Sequence, residues 1–291
     1  MHSVKEKLEA GLVLIDKPKG PASSSIAVFV REILGVKCGH CGTLDPNVSG
    51  VLPLLTGKGI KLLEYLQKHD KEYVCIMQTS KPVAREKLEK VLLSFKGEIY
   101  QTPPLHSAVA KRVRVRKIYD IKLLEAEPHD KPTFFLFSMS CQHGTYVRKL
   151  IEDVGHILGV KIEMLELRRT QVSQWTEKDC VSLVKLKDAM ELYKAGRPEL
   201  LDKILLPLED AIKNFPKVFI KPAAALSVNN GADVFAPGIE RVQGVFEPDN
   251  PVIIMNADKM IGVGRAVISS KQVQEAKKGV VIDTEKVFKL N

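Results

Sequence analysis

The hydrophobic period changes repeatedly along this chain, and each change marks an element. Gly11-Leu-Val-Leu-Ile-Asp16 is a short apolar run closed by Lys17-Pro18-Lys19-Gly20, the pattern of a buried strand ended by a turn. Ile26, Phe29, Val30 and Ile33 recur at helical spacing and predict a helix over 24–34. A glycine-rich loop follows, then the apolar run Val51-Leu52-Pro53-Leu54-Leu55. Further on, the pattern predicts a helix over 59–66, a strand over 72–78 and a helix with a charged face over 83–95. Paired strands are expected over 107–124 and a third strand over 134–141. Beyond them come a helix over about 148–158, a loop over 170–180 and a helix over 183–193.

The pattern shifts near Asn214-Phe215-Pro216. The remaining chain has short apolar strands, Val218–Ile220, Val252–Met255, Ile261–Gly264 and Val280–Ile282, separated by glycine and proline turns. That spacing suits a small β-barrel. A length of 291 residues also suggests two domains, here 1–214 and 215–291. The net charge is +9, which favours a polyanionic partner, most often nucleic acid. Most of it lies in the first domain, with 34 basic against 27 acidic residues, and 10 against 8 beyond. No apolar run approaches the roughly 18 residues of a membrane span, and the start, Met-His-Ser-Val-Lys-Glu-Lys, lacks a secretory apolar core. Five irregularly spaced cysteines point to reduced thiols in a cytosolic setting.

The candidate chemistry starts in the loop Gly39-His40-Cys41-Gly42-Thr43-Leu44-Asp45-Pro46. Its glycines allow sharp backbone turns, and Pro46 biases Asp45 toward an extended conformation, so the loop is suited to fixing one carboxylate. The same residues also fit a plain turn in which Asp45 bonds nearby backbone. Cys38-Gly-His-Cys41 suggests a redox pair or half a zinc site. Against this, Cys75, Cys141 and Cys180 stand alone and supply no second ligand pair. In Lys111-Arg-Val-Arg-Val-Arg-Lys117, strand alternation puts Arg112, Arg114 and Arg116 on one face and expects the valines to be buried on the other. Three guanidiniums in a row suit phosphates. In Gly144-Thr-Tyr-Val-Arg148, a strand end would place Tyr146 and Arg148 on one face, a ring for stacking beside a cation. Tyr73, on the strand after Lys71-Glu72, reads equally as a half-buried core residue. Leu167-Arg168-Arg169-Thr170 adds two cations at a strand end, RNA contacts or packing.

In their order along the chain, these motifs resemble the TruB/dyskerin family of pseudouridine synthases. The residues that carry the resemblance are Lys17-Pro18-x-Gly20, the Gly39–Pro46 loop, Lys71-Glu72-Tyr73, Gly144-Thr-Tyr146-Val-Arg148 and Leu167-Arg-Arg169. Asn230-Gly-Ala-Asp-Val-Phe-Ala-Pro-Gly238 and the strands after it resemble a PUA domain. The short connection from Arg116 to Gly144 resembles the archaeal and eukaryotic branch. The resemblance implies an α+β fold: a catalytic domain with a mixed, mainly antiparallel sheet flanked by helices, plus a β-barrel-like PUA domain. It implies isomerisation of a flipped-out uridine, without cofactor or metal. Asp45 would be the catalytic carboxylate, as nucleophile or on a glycal route, and Arg148 would pair with it and keep it charged. Tyr73 would stack on the uracil, Tyr146 would line the pocket and Leu167 would close its apolar wall. His40 would contact RNA near the flipped nucleotide, and Lys17 would support the fold around the site.

The implied partners are RNA (guide RNA, rRNA or tRNA) and the small proteins of a box H/ACA particle. The implied location is cytoplasmic for an archaeal-like protein and nucleolar for a eukaryotic one. A stand-alone enzyme acting on the tRNA T-loop is a second reading, favoured by the short segment before Gly11. A non-catalytic RNA scaffold is a third, and it would need none of Asp45, Tyr73 and Arg148. Cys38 and Cys41 depart from the family pattern, as does Gln78-Thr-Ser-Lys81.

Overall fold

The computed structural model describes residues 2–102, 112–127 and 133–288. These form two compact units, one of residues 13–55 and 63–204, the other of residues 2–12, 56–62 and 205–288.

The larger unit is built on a mixed sheet. From one edge its strands run Gly97–Gln101, Arg114–Ala126, Phe134–Cys141, Lys71–Thr79, Ile162–Val172 and Val48–Gly57, with Ala10–Lys17 beyond. Pairing among the first five of these strands is antiparallel, and Val48–Gly57 meets Ile162–Val172 in parallel. Lys71–Thr79 alternates strictly. Lys71, Tyr73, Cys75, Met77 and Thr79 are buried on one face, while Glu72 and Ile76 face out. Helix Val147–Leu158 buries Val147, Leu150, Ile151 and Val154 along one stripe and packs on Ile162–Val172. It ends at Gly159, whose φ of 69° supplies the left-handed cap.

Register aligns the elements that matter. Tyr73 lies opposite Arg169, and Arg169 lies opposite Gly50 on its other side. Cys75 faces Leu167, and Leu167 faces Val48. Gly50 has φ of 107°, and a Cβ there would come within 2.1 Å of the Arg169 carbonyl oxygen.

The other unit holds a six-stranded sheet in the order Val234–Phe235, Val280–Val287, Lys259–Ala266, Pro251–Asn256, Lys217–Ile220 and Ile239–Gln243. Its two edge strands do not pair among the described residues, so it is a half-barrel. Val218, Ile220, Phe246, Val252, Ile254, Val281 and Ile282 fill its core. All four strands expected in the tail are present.

The hydrophobic pattern misleads in three places. The expected strand pair over 107–124 is one long strand, Arg114–Ala126, whose partner Gly97–Gln101 carries too few apolar residues to stand out; residues 107–111 lie outside the described residues. The expected loop over 170–180 contains the end of Ile162–Val172 and the short strand Trp175–Thr176. Strand Ile162–Val172 shows in the pattern only at its Leu167–Thr170 end, because charged Glu163, Glu166, Arg168 and Arg169 break its apolar pattern.

Gly50→Ala is expected to destabilise the protein by about 3 kcal/mol or more, since backbone conformation and space both oppose a side chain. Denaturant unfolding measures it; a loss under about 1 kcal/mol would show that the two strands can separate locally.

Candidate functional site

Asp45 sits in a loop whose backbone is tied on nearly every side. Lys17, fully buried, donates its Nζ to the carbonyl oxygens of Pro18 (2.9 Å), Pro46 (3.2 Å) and Val48 (2.8 Å). The Ser23 hydroxyl accepts from the Leu44 amide and donates to the Leu44 carbonyl, both at 2.8 Å. Gly20 N–H also donates to the Pro46 carbonyl, and Cys41 N–H to that of Pro53. From the sheet, Arg169 donates to the carbonyls of Gly42 (3.2 Å) and Val51 (2.9 Å). The side chain left free to act is that of Asp45, which forms an ion pair with Arg148. Both are about half exposed, at 55% and 49%. An ion pair this exposed adds little stability, so its value lies in orienting the carboxylate.

Arg148 and Tyr146 do not occupy a strand end. The strand stops at Cys141, Tyr146 is the residue that caps helix Val147–Leu158, and Arg148 stands in its first turn. Gln101, buried at the end of its strand, fixes Tyr146 through two bonds, accepting from its N–H (2.9 Å) and donating to its carbonyl (3.1 Å). Sequence reasoning missed both Gln101 and Ser23. Neither belongs to a recognisable spacing, and each acts through backbone contacts that only the fold creates.

Asp45, Tyr73, Tyr146, Arg148 and Leu167 all line one cleft of about 680 Å³ within the larger unit. Arg114 and Arg116 stand at its side, and Lys68, Lys71 and Arg169 also line it. Six Lys or Arg side chains therefore meet two acidic ones, Asp45 and Glu64, an arrangement that attracts a polyanion. Burial raises the Tyr73 phenol above its ordinary range, so the ring is a neutral stacking surface at physiological pH.

Other expected residues are placed differently. Lys17 lies beneath the Asp45 loop and not in the cleft, as its three carbonyl partners require. His40 is likewise absent from the cleft lining. Its Nδ1 is buried without a partner among the described residues, and burial and then Arg169 lower its pKa, so it is a neutral ring. Arg169 is only 1% exposed, with its donors spent on backbone; it is an internal brace and not an outer RNA contact. Arg168 points to the opposite face, where it pairs with Asp16 (3.0 Å) and Glu177. Arg112 precedes the strand that carries Arg114 and Arg116 and is exposed. The valines between them are not buried: Val113 and Val115 are 67% and 43% exposed. The alternation is real, but the arginines take the inner, cleft-lining face. Arg116 fits there because Gly144, at φ 74°, leaves room; a Cβ would lie 3.0 Å from its Nε.

Cys38 and Cys41 are free thiols, and burial pushes both up to about 12. Neither is a thiolate at neutral pH, the form that attacks in thiol–disulfide exchange.

Three stretches match known domains. Residues 31–147 match the N-terminal domain of TruB family pseudouridylate synthases, 148–213 the C-terminal domain of tRNA pseudouridylate synthase B, and 216–288 the PUA domain. The probable tRNA pseudouridine synthase B of Pyrobaculum aerophilum is 40% identical over 289 residues, covering 98% of this chain and 86% of that protein. That of Archaeoglobus fulgidus is 40% identical over 288 residues, covering 98% and 87%. Among solved structures, the chain is similar to one in a Cbf5–Nop10–Gar1 complex, with 38% identity, a TM-score of 0.92, and 98% and 87% covered. It is also similar to one in an H/ACA RNP bound to a substrate RNA containing 2′-deoxyuridine, with 35% identity, a TM-score of 0.88, and 99% and 87% covered.

Lys17→Met is expected to cost about 2–4 kcal/mol, because it strands the buried Val48 carbonyl and takes a donor from the part-buried carbonyls of Pro18 and Pro46. Thermal unfolding checks this; an unchanged midpoint would mean that the loop is held without Lys17.

Proposed function

The chain belongs to the TruB family of pseudouridylate synthases, and we propose that Asp45 is the carboxylate with which it isomerises a flipped-out uridine to pseudouridine. The observation that carries this reading is the convergence of one loop-fixed carboxylate and its Arg148 partner with Tyr73, Tyr146 and Leu167 in a single cationic cleft. Tyr73 offers a face for the uracil and Leu167 an apolar wall. Arg114 and Arg116 take flanking phosphates. Extruding a nucleotide costs a few kcal/mol, and stacking at about 1–3 kcal/mol per base offsets it. Asp45 then assists cleavage of the N1 glycosidic bond, the base turns within the cleft, and C5 is joined to the sugar. A scaffold protein would have no use for this set.

The same reading makes residues 1–214 the catalytic domain and 215–291 the domain that grips the RNA away from the reacting uridine. The similarity to chains in H/ACA complexes supports work as the catalytic subunit of such a particle, with a guide RNA and small partner proteins, on rRNA. The names of the sequence relatives support direct action on tRNA. Among the described residues no helix is long and apolar enough to cross a membrane. For an archaeal-type protein the location that fits is the cytoplasm.

The test is pseudouridine formation on unmodified tRNA and on a guide–target RNA pair, each with and without the guide and partner proteins. Product on the guided target only when the guide is present supports the particle reading. Product on tRNA from the protein alone supports direct action. RNA binding with no product under any condition would overturn the enzymatic role given to Asp45.

Arg114→Gln with Arg116→Gln should weaken RNA binding and reduce the slope of log affinity against log salt by about 1.5. An unchanged slope in a filter-binding titration would remove this strand from the interface.

A further inference from the structure

We propose that Lys71 and Arg169 form a pair of buried positive charges in the cleft floor that stabilises the negative charge on the uracil ring when its bond to the sugar breaks. The proposal rests on the pseudouridine synthase reading; it gives a role to Lys71, which that reading leaves unused, and a second one to Arg169, which also braces the Asp45 loop.

Lys71 is only 7% exposed and heads the central strand two residues before Tyr73. Its Nζ donates to the carbonyls of Gln67 (2.8 Å) and His69. Arg169, almost wholly buried, lies directly opposite Tyr73 on the neighbouring strand. Both line the cleft. Their hydrogen-bond partners are carbonyl oxygens, with the Tyr73 phenol near Arg169, and among the described residues neither forms an ion pair.

The groups that face Lys71 from the surrounding elements are Arg169, Asp70, the thiols of Cys41 and Cys141, and the imidazoles of His69 and His143. Burial, and then Arg169, brings Lys71 down to about 8, so it is still largely charged at neutral pH. Two like charges buried together, with no ion pair to a carboxylate among the described residues, are costly.

The reaction supplies a use for the charge. When N1–C1′ breaks, the electron pair stays with N1, and the ring becomes an anion delocalised onto O2 and O4. C1′ takes an Asp45 carboxylate oxygen, or the C2′ proton passes to Asp45 to give a glycal. Rotation then presents C5, which bonds to C1′ as the Asp45 oxygen leaves or, on the glycal route, as Asp45 returns its proton to C2′. The C5 proton is lost, N1 regains a proton, and the net change is isomerisation without oxidant or reductant. Fixed cations beside the separating ring favour the separated anion over the neutral base, and this acts on the rate more than on RNA binding.

Lys71→Gln removes the charge and keeps an amide donor for the two carbonyls; Lys71→Arg keeps the charge. Single-turnover rates are measured on RNA carrying uridine and on RNA carrying 4-thiouridine at the target, a ring that leaves more readily as an anion. Lys71→Gln should lose about 10²-fold in rate on uridine with RNA affinity unchanged within about threefold. Its deficit should shrink about tenfold on 4-thiouridine, and Lys71→Arg should recover most of the rate. An equal deficit on both substrates, or Lys71→Arg as slow as Lys71→Gln, overturns the proposal, because both are what a packing role predicts. Lys71→Met replaces the amide variant if that variant does not fold. Wild-type protein that yields no pseudouridine would sink the reading beneath the proposal. An active wild type with an equally active Lys71→Gln sinks the proposal alone.

Discussion

Everything at this site depends on how a glycine-rich loop is held without regular structure of its own. Two buried cations do it from opposite sides. Lys17 gathers the carbonyls that follow Asp45, at Pro46 and Val48, while Arg169 gathers those at Gly42 and Val51. Ser23 closes the gap at Leu44. Carbonyls out of reach of water need donors, and long cationic side chains supply several each. The result is a half-exposed carboxylate on a rigid base, the combination that a reaction at a bulky nucleotide requires. Gly50 lets the Arg169 strand come close enough for this bracing.

The second constraint is charge. Within the larger unit the cleft gathers six Lys or Arg side chains, but they do different work. Arg114 and Arg116 stand at the side, where phosphates pass. Arg148 orients Asp45. Lys71 and Arg169 also line the cleft but are almost wholly buried. A sheet can sort cations in this way because alternate residues face opposite sides and neighbouring strands hold them in register. The split between Arg168, paired outward with acids, and Arg169, turned inward, shows that sorting within one dipeptide.

Much of this was legible in the sequence, and the reason is local chemistry. The Asp45 loop is marked by its own glycines and proline, and regular helices and strands by their period. The half-barrel tail was visible because its strands are short, apolar and bounded by turns. What could not be read were properties set by distant neighbours. Nothing in Arg168-Arg169 says which one is buried. Val113 and Val115 suggest an inner face that the fold gives to the arginines. Lys17 and His40 belong to the recognised motifs, yet neither lines the cleft. Gln101 and Ser23 carry no signal, because their partners are backbone atoms brought in by folding.

The central claim is that the braced loop exists to present one catalytic carboxylate. Asp45→Asn tests it most directly, since the amide keeps the shape of the side chain and the braces do not touch it. With single-turnover pseudouridine formation and RNA affinity measured on the same preparation, turnover should fall below detection while affinity stays within about threefold. Turnover that survives in Asp45→Asn, with the protein folded and RNA bound, would contradict the account.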